Sequence, residues 1–263
     1  MPSVRSVRPV KVLLTGFGPF RTHTINASFE IVKRVFESIN NSAELEEGSD
    51  AETEETTGTV GKGRREIDLV IHPEPVRVSY ADVDNLLSEL YQHDAPFDLV
   101  IHTGVANLNS ASFLVEKFAR RLAYSSPDVN GKLPQDSVHN SPGPDRLTTS
   151  IKLDGPLLES VKELIQHPIE LKVSENAGRY LCEYIYYGSL AAYEKVSRSS
   201  KGKSSSPREE KDGGRREGPS MSRPVLFVHV PPLLSLPDLA LGAAVLEALI
   251  RELVHLHFPP IHH

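Results

Sequence analysis

Residues Leu13–Glu30 read "LLTGFGPFRTHTINASFE", and this passage decides the architecture. The apolar run "VKVLLT" (10–15) closes on glycine, the pattern of a short buried strand. A helical pattern follows over 26–39, with apolar side chains at 29, 31, 32, 35, 36 and 39 and Asn26 or Ser28 placed to cap it. Strand, glycine loop and helix in that order are the opening of an α/β unit.

The two glycines of the loop, Gly16 and Gly18, raise the question of a phosphate cradle. A dinucleotide fingerprint needs a third glycine three residues on, and Arg21 stands there. Pro19 also removes a backbone N–H that a phosphate would use. The loop instead offers Phe17 and Phe20 beside glycines at a strand end, either as core or as walls of a pocket for an uncharged ligand. In that reading the glycines let the backbone turn so that both rings face one pocket.

Outward from this stretch the alternation continues. Strands are expected within "IDLVIHPEPVRVSY" (67–80), in "FDLVIHTGV" (97–105) and in "PVLFVHV" (224–230). Helices are expected from Asp82 to about Gln92, in "LDGPLLESVKELIQ" (153–166), over 174–195 and from Leu236 to His255. Residues 125–147 read as an extended loop. The prediction is a single-domain, doubly wound α/β fold over 10–257, with a mostly parallel sheet and helices on both faces. In such sheets sites gather at the carboxyl ends of strands, here after Thr15, His102 and His229. Two stretches break the pattern. Residues 43–65 carry seven acids before a small basic cluster, and 197–223 are Ser-, Gly- and Lys/Arg-rich; both are expected to be disordered insertions.

Composition narrows the function. A formal net charge of −6, 6% aromatics and no tryptophan argue against nucleic acid as a partner. The single cysteine, Cys182, excludes an internal disulfide and suits a reducing compartment. The most apolar late stretch carries Glu247, Arg251 and Glu252, so no membrane partner is expected either. A soluble cytoplasmic protein is the expectation. No cofactor and no metal are expected: the histidines of "HLHFPPIHH" lack HExxH spacing and cysteine companions.

Three residues could carry nucleophilic chemistry. Cys182 is a small buried hydrophobe on the bland reading, or a nucleophile if its helix starts beyond Gly178 rather than at Ser174. His229 lies in an apolar strand before two prolines, as a half-buried ring with a backbone partner or as a general base. Glu116, in "FLVEKFARR", reads first as a solvated helix face and second as the acid that orients the histidine.

Taken together, "VLLTGFGPF", "INASFE", "SENAGRYLCEYIYYGSL" and "LFVHVPPL" resemble the pyroglutamyl peptidase type I family of cysteine exopeptidases, from about Val12 to Leu249 outside the two insertions. The resemblance implies Cys182 as nucleophile, His229 as base and Glu116 as orienting acid, with Phe17 and Phe20 sandwiching a pyrrolidone ring and Asn26 beside them. It implies peptides with N-terminal pyroglutamate as substrates. The chain departs from the family words at several places. Asn107-Leu108-Asn109 stand for Gly-Gly-Arg, Ala119-Arg120-Arg121 for "AxN", and Tyr124 for an arginine; Ala27 replaces a proline, and Glu183 replaces the asparagine after the cysteine. Two other readings stay open: a divergent non-catalytic homologue that binds peptides or partner proteins, and a cysteine hydrolase of another cyclic amide.

Overall fold

A computed structural model describes residues 8–21, 24–47, 65–92, 97–135, 142–202 and 222–259. The central sheet has six strands: β1 (Val10–Gly16), β2 (Ile67–Ile71), β3 (Leu99–Val105), β4 (Ser112–Glu116), β7 (Glu170–Ser174) and β8 (Val225–Val230). Their order is β2-β1-β3-β8-β4-β7. A separate two-stranded ribbon pairs β5 (Phe118–Arg120) with β6 (Arg146–Thr148) in antiparallel fashion. The first four strands of the large sheet run parallel, and so do β4 and β7, but β4 meets β8 antiparallel.

That reversal matters for the site. "SFLVEKFAR" is strand and not helix, so the expected helix face for Glu116 is corrected: the residue ends β4 and is 0% exposed. The segment alternates Phe113 and Val115 toward one core with Leu114 and Glu116 toward the other face, a period of two that a helical reading misses.

Helices cover both faces. α1 (Ala27–Glu47), α3 (Gly155–Leu164) and α5 (Leu236–His257) close over one core around Val12, Leu14, Ile101, Leu226 and Val228. α2 (Tyr80–Leu90) and α4 (Leu181–Gly202) close over the other, around Leu13, Val100, Phe227, Tyr184 and Tyr186. Truncating a fully buried member such as Leu226 to alanine costs roughly 2–5 kcal/mol.

Local chemistry explains the helix starts. Ser79 and Asp154 cap α2 and α3, each side chain accepting a first-turn N–H. Asn26 does the same for α1: its Oδ1 accepts from Ser28 N at 3.1 Å and its carbonyl from Glu30 N. The helix expected from Ser174 starts instead at Leu181. Ser174 ends β7, and the connection turns through Gly178 (φ +94°) and Arg179 (φ +50°). Glycine reaches that left-handed region without a Cβ clash. α1 and α4 continue to Glu47 and Gly202, so both helices enter stretches expected to be disordered. The remainder, 48–64 and 203–221, lies outside the described residues, as do residues 260–263 of the terminal histidine stretch.

Candidate active site

β1, β3 and β8 end side by side, and the loops beyond β1 and β3 open a cleft of about 230 Å³. Phe17, Phe20 and Asn26 from the first loop, Val105 and Ala106 at the end of β3, and Ala177, Gly178, Tyr180 and Leu181 before and at the start of α4 line it. Cys182 and His229 stand in the same cleft. Among the described residues, no Asp, Glu, Lys or Arg side chain lines it.

The register of the sheet brings the reactive groups together. His229 lies beside Gly104 on β3 and opposite Leu114 on β4. Glu116 is two residues beyond Leu114 on the same face, a diagonal neighbour within reach of a long side chain. Its Oε1 accepts from His229 Nδ1 at 2.8 Å. Because β4 runs against β8, the acid comes up from beneath the histidine and not from the open end, which is why it is fully buried. The half-buried reading of His229 with a backbone partner is likewise corrected, since the residue is 5% exposed and its Nδ1 partner is a carboxylate.

Cys182 is the second residue of α4 and sits over Gly104, where a Cβ would come within 2.9 Å of its Sγ and 2.8 Å of Phe227 Cζ. Glycine at 104 therefore lets the helix end approach the sheet. The first helical N–H groups have no intrahelical acceptor and point toward this region, an arrangement that favours developing negative charge. With Nδ1 taken by Glu116, His229 offers Nε2 to the thiol. Burial pushes the imidazole pKa down, but hydrogen bonds to Cys182 and Glu116 and their negative charges outweigh it, so His229 is pushed up to about 9.

The glycines of the opening loop act differently from expectation. At Gly16 a Cβ would lie 2.6 Å from the Phe29 Cα, so the residue is needed for the close approach of α1. Neither Gly16 nor Gly18 has positive φ. Phe17 is fixed by a bond from its N–H to Ser28 Oγ at 3.0 Å and by a bridge to Val76, while Phe20 is less buried. Asn26 lines the cleft, yet its amide is engaged with the loop, Nδ2 donating to Gly18 O at 2.9 Å. Asn26 thus shapes the wall that carries both phenylalanines. Val78, Leu114 and Asn176 complete the lining and went unread in the sequence. They come from three separate segments whose convergence leaves no local signal.

A doubly wound sheet with a cysteine, a histidine and a carboxylate gathered at one apolar cleft defines the class as a thiol hydrolase-like α/β protein. The profile of the pyroglutamyl peptidase family matches residues 51–203, more than half of the sequence, and the chain belongs to that family. Human pyroglutamyl-peptidase 1 is 28% identical over 245 residues, covering 93% of this chain and 90% of that protein. Bacillus subtilis pyrrolidone-carboxylate peptidase is 28% identical over 191 residues, covering 72% and 73%. Among solved structures, pyrrolidone carboxyl peptidase from Fervidobacterium islandicum superposes with a TM-score of 0.56 at 24% identity, covering 95% of this chain and 99% of that one. A mutant pyrrolidone carboxyl peptidase from Pyrococcus furiosus gives 0.56 at 22%, covering 93% and 100%. These two share the fold. Among the described residues, no helix is long and apolar enough to cross a membrane.

Proposed function

We propose that this protein is a cysteine exopeptidase that removes N-terminal pyroglutamate from peptides, with Cys182 as nucleophile, His229 as general acid and base, and Glu116 as orienting acid. The observation that carries the reading is the row Cys182–His229–Glu116, its first two members in a cleft walled by Phe17 and Phe20 with no Asp, Glu, Lys or Arg among the described lining residues. Pyroglutamate is an uncharged lactam with no free amine, so an acidic amine-binding site would have nothing to hold. Aromatic faces and a few hydrogen bonds suit it.

The geometry supports a two-step acyl transfer. With its proton on His229, Cys182 Sγ attacks the pyroglutamyl carbonyl carbon, and the oxyanion develops near the first N–H groups of α4. The C–N bond breaks as His229 gives its proton to the leaving amine, leaving a thioester on Cys182. Water then loses a proton to His229, attacks the thioester, and pyroglutamate departs with the thiolate restored. Glu116 holds Nδ1 throughout and balances the imidazolium charge. A cytoplasmic setting, where the thiol stays reduced, fits this chemistry.

Release of aminomethylcoumarin from its pyroglutamyl amide under reducing conditions tests the reading. Turnover is expected in the parent and absent in Cys182→Ala, while glutamyl and prolyl amides are left intact. A folded parent that releases no fluorophore from the pyroglutamyl amide overturns the assignment.

A further inference from the structure

The residue after the proposed nucleophile, Glu183, is a carboxylic acid that is 0% exposed, one position along α4 from a thiol that the proposed reaction needs as an anion. An acid there would oppose the chemistry unless something offsets it. Arg120, at the end of β5, does so: its Nη1 lies 3.1 Å from Glu183 Oε1, and its own backbone N–H donates to the same oxygen at 2.9 Å. The other carboxylate oxygen accepts from Arg179 N at 2.8 Å, at the positive-φ residue just before the helix. Arg120 Nη2 donates to Glu175 O at 2.9 Å, at the far end of the same connection. One ion pair thus ties down both ends of residues 175–179, three of which (Asn176, Ala177 and Gly178) line the cleft.

The attachment of Arg120 is itself fixed. Its guanidinium lies 4.9 Å from the Phe118 ring centroid, and its carbonyl accepts the Tyr124 hydroxyl. Along the sequence Ala119-Arg120-Arg121, Tyr124 and Glu183 are separate departures from the family words. In the fold three of these residues, Arg120, Tyr124 and Glu183, form one connected group that meets α4 at its first turn.

We propose that Arg120 and Glu183 are positioning residues of this site: the pair holds the cleft loop and the first turn of α4, and Arg120 offsets the Glu183 charge so that Cys182 can react. The inference rests on the proposed use of Cys182 as nucleophile, but its test needs no substrate. The charged and titratable groups of the thiol and its loop are His229 and Glu116 from the sheet, Tyr180 with Arg21 over its ring and Asp128 near it, and, joined through Glu183 on α4, Arg179 from the loop and Arg120 from β5. The Arg120–Glu183 pair can be altered by charge-neutral substitution without touching the partners of the histidine, Glu116 and Cys182.

The experiment is the pH profile of iodoacetamide alkylation, which reports one site because the chain has one cysteine. Arg120→Gln leaves the buried acid unbalanced, so alkylation at neutral pH is expected to slow by about tenfold, with the profile displaced to higher pH. Glu183→Gln keeps an acceptor for Arg179 N but removes the charge, so alkylation is expected to quicken by a few-fold, roughly, with the opposite displacement. The double variant returns toward the parent. Thermal unfolding establishes that each variant is folded; should Arg120→Gln not fold, the direction of Glu183→Gln alone decides. Displacements of both variants in the same direction, or an unmoved profile in folded protein, overturn the proposal. Parent protein that alkylates in this pattern but cleaves no pyroglutamyl amide would spare this inference and count against the peptidase reading alone.

Discussion

His102 and His229 stand on the neighbouring strands β3 and β8, face the same helical layer, and are both buried. Their partners differ. His102 Nδ1 meets Thr15 Oγ1 at 2.8 Å and its Nε2 meets Ser189 Oγ at 2.8 Å, two neutral hydroxyls. Burial then goes unopposed, and the pKa falls to about 3. His229 meets a carboxylate and a thiol, and its pKa rises to about 9. Depth in the fold is common to both rings; the charge of the partner decides which one can carry a proton at neutral pH. One histidine is a strut between β1, β3 and α4, and the other is equipped to move protons.

The comparison is broken most severely by Glu116→Gln, which gives His229 a neutral partner like those of His102. Hydrolysis of the pyroglutamyl amide is expected to fall by about 10²–10³-fold in kcat/KM, the scale of lost general acid–base catalysis. An NMR titration of the ring is expected to show its pKa displaced downward. An unchanged rate would separate Glu116 from the chemistry.

His102→Ala acts on stability instead. Two buried hydroxyls lose their partner and a cavity opens, so chemical denaturation is expected to show a loss of about 2–4 kcal/mol. Activity per folded molecule is expected to stay within a few-fold of the parent. A collapse of kcat in folded protein would move His102 into the site.

The two rings also predict opposite arms of a stability profile. His229 binds its proton more tightly folded than unfolded, so its contribution is full below about pH 6.5 and is lost as pH rises through 9. His102 is held neutral, so the unfolded chain takes up a proton first, and stability falls as pH drops from about 6.5 toward 3. Urea unfolding across this range is expected to peak near pH 6.5, with the alkaline arm flattened in His229→Gln and the acid arm flattened in His102→Gln. The smallest effect is expected from Ser189→Ala, about 1 kcal/mol by the same denaturation assay, with the pyroglutamyl-amide rate unaltered.

How much of this could be read in advance varied from element to element. The strands β1, β3 and β8 were legible because buried parallel strands are continuous apolar runs closed by glycine or proline. β4 was not, since five residues of alternating burial followed by "KFARR" mimic a helix face until the strand has a neighbour. The start of α4 depended on Gly178, whose positive φ ends the loop three residues before Leu181; sequence offered two starts and no means of choosing. Gly16 was legible as necessary but for a different cause, because the close approach of α1 is a tertiary contact.

The amino-acid sequence by itself determined the α/β alternation, the family words, and which side chains could be nucleophile, base, acid and aromatic wall. These follow from periodicity, residue chemistry and local turn preference, all of which act over a few neighbours along the chain. Only the tertiary structure decided that Glu116 meets His229 from below, that no Asp, Glu, Lys or Arg stands among the described lining residues of the cleft, and that Arg120 and Glu183 form one pair. The two contacts join residues 113 and 63 positions apart, and the cleft lining draws on residues from Phe17 to His229. They are set by strand register and helix approach, which no local stretch encodes.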